Sequence, residues 1–183
     1  VEYVFSGWRL NQPKGFGADG LPHAALGAEP GKTLFETIEQ SDLDDAATYV
    51  LARTELSFAL VNVYPYTTGH VMVLPRLAQP SVLDLSEDGY HDLWRLVRIA
   101  AVAVGEAFKP DGLNIGVNEG VAGGGSQPDH LHVHVVPRWS ADTNFMTTVA
   151  NARILPITLA ESWERLRAVW PEPVDRATPV PGR

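Results

Sequence analysis

Apolar and polar positions along the chain change period several times, and each change marks an element. Residues 47–53 ("ATYVLAR"), 57–64 ("SFALVNVY") and 69–76 ("GHVMVLPR") are rich in β-branched and aromatic side chains, the signature of strands. "TE" at residues 54–55 and "PYTT" at residues 65–68 separate them, which predicts short antiparallel connections. After Ser86 the period becomes that of a helix, with Leu93, Leu96, Val97, Ala100, Ala101, Val104 and Phe108 on one broad face. Ser86 is its expected N-cap, Glu87 and Asp88 suit its first turn, and "KPDG" stops it. Residues 113–118 ("LNIGVN") and 130–136 ("HLHVHVV") predict two more strands. Thr158 and Glu161 have capping-box spacing and open a second helix that ends near Trp170. A short helix over residues 33–40 would align Leu34, Phe35 and Ile38. This order predicts an α+β fold, with an antiparallel sheet of about five strands, one long helix and a C-terminal helix, the helices on one side.

Outside these elements the pattern fades. Residues 1–32, rich in Gly, Pro and polar side chains, predict an irregular arm, residues 33–170 a single domain, and the Pro-rich residues 171–183 a disordered tail. A net charge of −8 excludes a chain-wide basic footprint for nucleic acid, so a phosphate-bearing ligand would need a local site. With no cysteine, disulfides, thiolate nucleophiles and zinc sites built on sulfur are excluded. The longest apolar run, residues 99–104, is far short of the ~20 residues of a membrane span. No signal pattern opens the chain, and a cytoplasmic location is expected.

Candidate chemistry concentrates in "PDHLHVHVVPRW", residues 128–139. Strand alternation puts His130, His132 and His134 on one face and Leu131, Val133 and Val135 on the other, in a core. Successive histidines would be about 6.6 Å apart, so the row suits an extended ligand such as a polyphosphate chain better than a point ligand. The pattern admits three readings. The histidines can merely line a half-exposed face, chelate zinc or iron through an i, i+2 pair, or supply a nucleophilic imidazole with neighbours that bind phosphate and move protons. "GGGS" at residues 123–126 offers backbone N–H groups free to form an anion-binding nest, which favours the third. It lacks the lysine of a P-loop.

The run "HLHVHVV" resembles the signature of the histidine triad nucleotide-binding family. "SFALVNVYPYTTGHVMVLPR" is similar to that family's two strands and P-x-x-x-G-H turn, and "NEG" at residues 118–120 also fits. "TELSFALVN" is similar to the fragile-histidine-triad dinucleoside polyphosphate hydrolases, and "GGGSxxxHLHVHVVPRW" with "DTNF" to the bacterial branch containing diadenosine tetraphosphate phosphorylases.

The resemblance implies cleavage of dinucleoside polyphosphates, diadenosine tetraphosphate above all, by phosphorolysis or hydrolysis. His132 would attack the α-phosphate and form a nucleotidyl-imidazole, its other ring nitrogen held by a carbonyl of the glycine-loop region. His130 and His134 would contact phosphate oxygens, His134 protonating the leaving oxygen, with His70 in support. Asn62 would hold the ribose hydroxyls. Asn118, Ser126, Gln127 and the N–H of Gly125 would touch the α-phosphate and bridging oxygen, and Trp139 would belong to the substrate site. The alternatives are hydrolysis of purine nucleoside phosphoramidates or mononucleotides, a non-catalytic nucleotide sensor, and metal-dependent chemistry. Many bacterial members of the family bind structural zinc through C-x-x-C. Thr33 and Glu36 occupy those positions here, so no structural cofactor is expected, a divalent cation entering only with the polyphosphate. The partners expected are a small nucleotide and a second copy in a homodimer or higher homo-oligomer, with neither nucleic acid nor membrane. His23 and His91 match no motif and are expected at the surface.

Overall fold

The computed structural model describes residues 30–125, 127–142 and 155–171. The predicted arm, apart from residues 30–32, and the tail beyond residue 171 lie outside the described residues, as do Ser126 and His23.

Five strands form one antiparallel sheet: β1 (Val50–Arg53), β2 (Ser57–Val61), β3 (Val71–Pro75), β4 (Gly112–Val117) and β5 (Val133–Arg138), in the spatial order β1-β2-β3-β5-β4. The helices are α1 (Leu34–Glu39), the single turn α2 (Asp45–Thr48), α3 (Glu87–Phe108) and α4 (Leu159–Val169). α3 begins at its expected cap, Ser86 accepting the Gly89 N–H at 3.1 Å. It ends at Lys109, whose left-handed backbone (φ 46°) closes the helix onto Gly105. Its buried face includes Ala103 where the periodicity selects Ala101, which is half-buried. α4 starts at Thr158, which accepts the Glu161 N–H at 3.1 Å.

One sheet face meets α3 and α4 through Leu51, Val61, Val71, Val73, Val133 and Val135 against Leu93, Leu96, Val97, Ala100, Val104 and Leu166. The expectation that all helices share one side is corrected by α1. Its Phe35 and Ile38 pack on the opposite face against Val50, Phe58, Leu60, Met72 and Leu74. Register carries this face to the triad, because Met72 of β3 and Gly116 of β4 flank His134 of β5. A Cβ added to Gly116 would meet no heavy atom within 4 Å, so the position beside His134 on β4 opens onto space.

The strand bounds differ from the sequence expectation, and three of the differences have a local reason. The first starts at Val50 because residues 45–48 wind into a turn, with the Thr48 hydroxyl donating to the Asp44 carbonyl and Tyr49 left-handed (φ 57°). The second stops at Val61, since the Asn62 side chain accepts the Tyr64 N–H at 2.9 Å and bends the chain. The triad strand pairs only from Val133, because the Leu131 N–H is taken by the Gln79 carbonyl at 2.6 Å.

The two sheet edges are unlike. Trp163 and Arg167 of α4 donate to the Val50 and Leu51 carbonyls at 2.8 and 2.7 Å, so a helix closes the β1 side. β4 has no strand on its outer side among the described residues, and Ile115 at its centre is 43% exposed.

Candidate active site

The turn after β2 delivers His70. Gly69 takes φ +77°, and a Cβ there would lie 2.4 Å from the Phe108 ring, so glycine answers both the backbone and the space. His70 is fully buried, and its Nδ1 accepts the Tyr66 N–H at 3.0 Å. A backbone amide can only donate, so His70 is neutral at Nδ1 and carries its proton on Nε2. That proton goes to His134 Nδ1 at 2.9 Å, which in turn leaves the proton of His134 on Nε2. Nε2 lies 3.3 Å from the side-chain amide of Asn118. The N–H of His134 calls for the amide oxygen on that side, the orientation the network selects. Tyr66 stacks at a tilt over both rings, with centroids 4.6 Å from His70 and 5.3 Å from His134.

His132 has the opposite arrangement. Its Nδ1–H donates to the main-chain carbonyl of His130 at 2.8 Å, so Nε2 holds a lone pair. The carbonyl expected from the glycine-loop region thus comes from the triad itself, two residues away. The His132 and His134 rings stand edge to face with centroids 5.0 Å apart, and the two residues are 5% and 7% exposed. A ring nitrogen bearing a lone pair sits beside one bearing a proton, the pair needed by a nucleophile and a hydrogen-bond donor to a leaving oxygen.

His130 departs from its expected role. It is 1% exposed, its Nε2–H donates to the Pro75 carbonyl at 2.8 Å, and its Nδ1 lies 2.7 Å from the Thr33 hydroxyl. Both nitrogens are engaged inside the protein, so His130 is a support and not a phosphate ligand. Burial holds it below the usual histidine range, against the opposing pull of the Pro75 carbonyl and the Glu36 charge.

The remaining expected residues separate into near and far. Asn62 is buried with its Nδ2 3.3 Å from His70 Nδ1 and its oxygen turned to Tyr64. It joins the histidine network from the hairpin side. Asn118 reaches His134, as above. The expected nest is corrected, because the Gly124 and Gly125 N–H groups donate to the Val121 and Gly120 carbonyls at 3.1 Å each. A Cβ on Gly125 would come within 2.8 Å of the Asn118 carbonyl, so this glycine lets the loop pack beside Asn118. Gln127 is exposed, and its carbonyl accepts the His130 N–H at 3.3 Å. Trp139 lies one residue past β5, five residues from His134 and therefore about 16 Å along an extended chain. Within one copy it does not join the histidines. Arg138 grips Asp142 through two bonds, at 2.6 and 2.8 Å, and fixes the turn that carries it. His91 is exposed, 3.4 Å from Glu87.

Among the described residues no group of three or more His, Cys, Asp or Glu side chains is arranged for a metal ion. Sequence reasoning missed Tyr66, Phe35 and the linkage of Thr33 to the triad. Thr33 and Glu36 have the spacing recognised at Thr158 and Glu161, and they do form a capping box; that signal was present.

The HIT domain model matches residues 44–141. The AP-4-A phosphorylase of Mycobacterium tuberculosis is 36% identical over 132 residues, which is 72% of this chain and 68% of that protein. The asymmetrical bis(5'-nucleosyl)-tetraphosphatase of Schizosaccharomyces pombe is 41% identical over 93 residues, 51% of this chain and 50% of that one. A Zn-bound histidine triad family protein from Mycobacterium smegmatis has a similar fold, with a TM-score of 0.60 at 27% identity, covering 74% of this chain and 90% of that one.

Proposed function

The chain belongs to the HIT domain family, and from that premise we propose that it cleaves dinucleoside polyphosphates, diadenosine tetraphosphate among them, through a nucleotidyl group carried on His132. The observation that carries the mechanism is the pair of opposed tautomers, Nε2 of His132 with a lone pair and Nε2 of His134 with a proton, on rings 5.0 Å apart. His132 Nε2 attacks the α-phosphorus, an N–P bond forms, and the bridging P–O bond breaks. The ATP oxygen leaves as an anion while accepting the hydrogen bond of the His134 Nε2–H, and the Nδ1–H bond to the His130 carbonyl steadies the positive charge that grows on His132. Inorganic phosphate then attacks the nucleotidyl-imidazole, releasing ADP and freeing Nε2. Phosphate as acceptor is supported by the wider match to a phosphorylase than to a hydrolase. Asn62 and Asn118 flank the histidines and orient the nucleotide.

Incubation with diadenosine tetraphosphate, with and without inorganic phosphate, tests the reading. ADP plus ATP appearing only with phosphate is expected. AMP plus ATP would make water the acceptor, and no product in either case would overturn the activity.

The chain acts, in this reading, as a cytoplasmic homodimer without a structural metal, a divalent cation arriving only with the polyphosphate. No helix among the described residues is long and apolar enough to cross a membrane. Dimerisation through β4 is supported by the contrast between the edges, one closed by α4 and the other open with Ile115 exposed. A two-fold axis beside β4 would reverse the neighbouring sheet. It would bring each Trp139 to the histidine end of the other copy, three strand spacings or about 14 Å across.

A further inference from the structure

His130 turns both ring nitrogens away from the ligand, and the groups that hold them form a closed circuit. Its Nε2–H is committed to the Pro75 carbonyl at 2.8 Å, so the Nδ1 of the neutral ring accepts, and the one hydroxyl proton of Thr33 goes to it at 2.7 Å in preference to the Glu36 carboxylate 3.1 Å away. The Thr33 oxygen receives the Glu36 N–H at 3.3 Å, while Glu36 returns one carboxylate oxygen to the Thr33 N–H at 2.8 Å. The other oxygen of Glu36 accepts the Ala78 N–H at 3.0 Å, three residues past Pro75. The circuit therefore joins the start of α1, the exit of β3 and the entry to β5. Phe35, between Thr33 and Glu36, packs against the rings of both His130 and His132, with centroids 5.5 and 5.7 Å away. The main-chain carbonyl of the residue so held is the acceptor of the His132 Nδ1–H.

We propose that Thr33 and Glu36 are positioning residues for the nucleophile. By fixing the ring and hence the main chain of His130, they keep its carbonyl where it retains the His132 proton on Nδ1 and leaves Nε2 free to attack. Neither residue touches substrate. Burial supports the neutral His130 that this circuit requires. It would by itself raise the Glu36 carboxyl, but the bonds from Thr33 and Ala78 and the nearby His130 outweigh it and hold the carboxyl below its usual range. The kinetic consequence rests on the nucleotidyl-transfer reading, whereas the proton position on His132 does not.

The test pairs steady-state kinetics with nitrogen-15 NMR of the histidine rings in the full chain. Thr33→Val, which removes the hydroxyl at nearly constant shape, should lower kcat about tenfold to a hundredfold, the worth of one bond to a developing charge. KM should stay within about twofold, and the Nδ1–H signature of His132 should weaken. Thr33→Ser should restore both, and Glu36→Gln should fall between. A folded Thr33→Val chain with unaltered kcat and an unaltered His132 signature would overturn the proposal, as would a loss confined to KM. Should Thr33→Val not fold, Glu36→Gln decides by the same two measurements. A wild-type chain that cleaves nothing would sink the proposed activity alone, because the NMR comparison still decides the positioning.

Discussion

Gly69→Ala is the most informative single change in the fold, because its cost can be worked from two separate facts. The residue sits at φ +77°, and the new Cβ would stand 2.4 and 2.6 Å from two atoms of the Phe108 ring. The left-handed backbone costs a residue with a Cβ about 1–2 kcal/mol. To restore ordinary contact the ring must retreat by roughly 1 Å, an overpacking cost of about 1–3 kcal/mol. The sum, about 2–5 kcal/mol, should lower Tm by roughly 4–20 °C in a chain of this size. Because His70 is the next residue and sets the proton of His134, kcat should fall with stability. The assay is a double-mutant cycle with Phe108→Ala, followed by thermal and urea unfolding. Without the ring, Gly69→Ala should retain only the backbone part, a coupling of about 1–3 kcal/mol. A Gly69→Ala chain as stable as wild type, or a cycle with no coupling, would refute the reasoning.

Other consequences can be checked as directly. His70→Phe fills the space but removes the acceptor of the Tyr66 N–H and the donor to His134; kcat should fall roughly 5- to 150-fold, as for a lost buried hydrogen bond, while circular dichroism stays unchanged. The pH dependence of stability has a defined sign. His130 is held below 6.5 when folded, so the unfolded chain binds its proton first. Stability is full above pH 6.5 and declines as pH falls below it, by at most about 1.4 kcal/mol per unit from this group. Urea titrations at pH 7.5 and 5.5 should give a smaller difference for His130→Gln than for wild type; an equal difference would refute the assignment. Ile115→Lys should shift the chain from dimer to monomer in sedimentation, and an unchanged dimer would move the interface away from β4.

The sequence revealed most where one period runs long. α3 has 22 residues, and its cap, acidic first turn and apolar stripe all agree. The strand cores were equally clear, because Val71, Val73, Val133 and Val135 alternate without interruption. The errors fall where a local bond competes with a pattern. "ATYV" looks like strand until the Thr48 hydroxyl bonds back to Asp44 and closes a turn. His130 continues the alternation of the triad on paper, yet the main chain before Val133 is captured by Gln79 and the ring by Pro75 and Thr33. None of those partners is near in sequence. The glycine loop reads as a row of free amides, although its own carbonyls take two of them. Composition records a glycine but not the dihedral it adopts. The side of the sheet that α1 covers is a further tertiary choice, as its apolar stripe would suit either face.

Gly116 has a consequence for how this fold can diverge. It is the in-register neighbour of His134 on β4, and nothing stands within 4 Å of the Cβ it lacks. A side chain added there, from alanine to valine to leucine, would therefore fill the open space beside His134 in small increments, without removing any hydrogen bond of the histidine network.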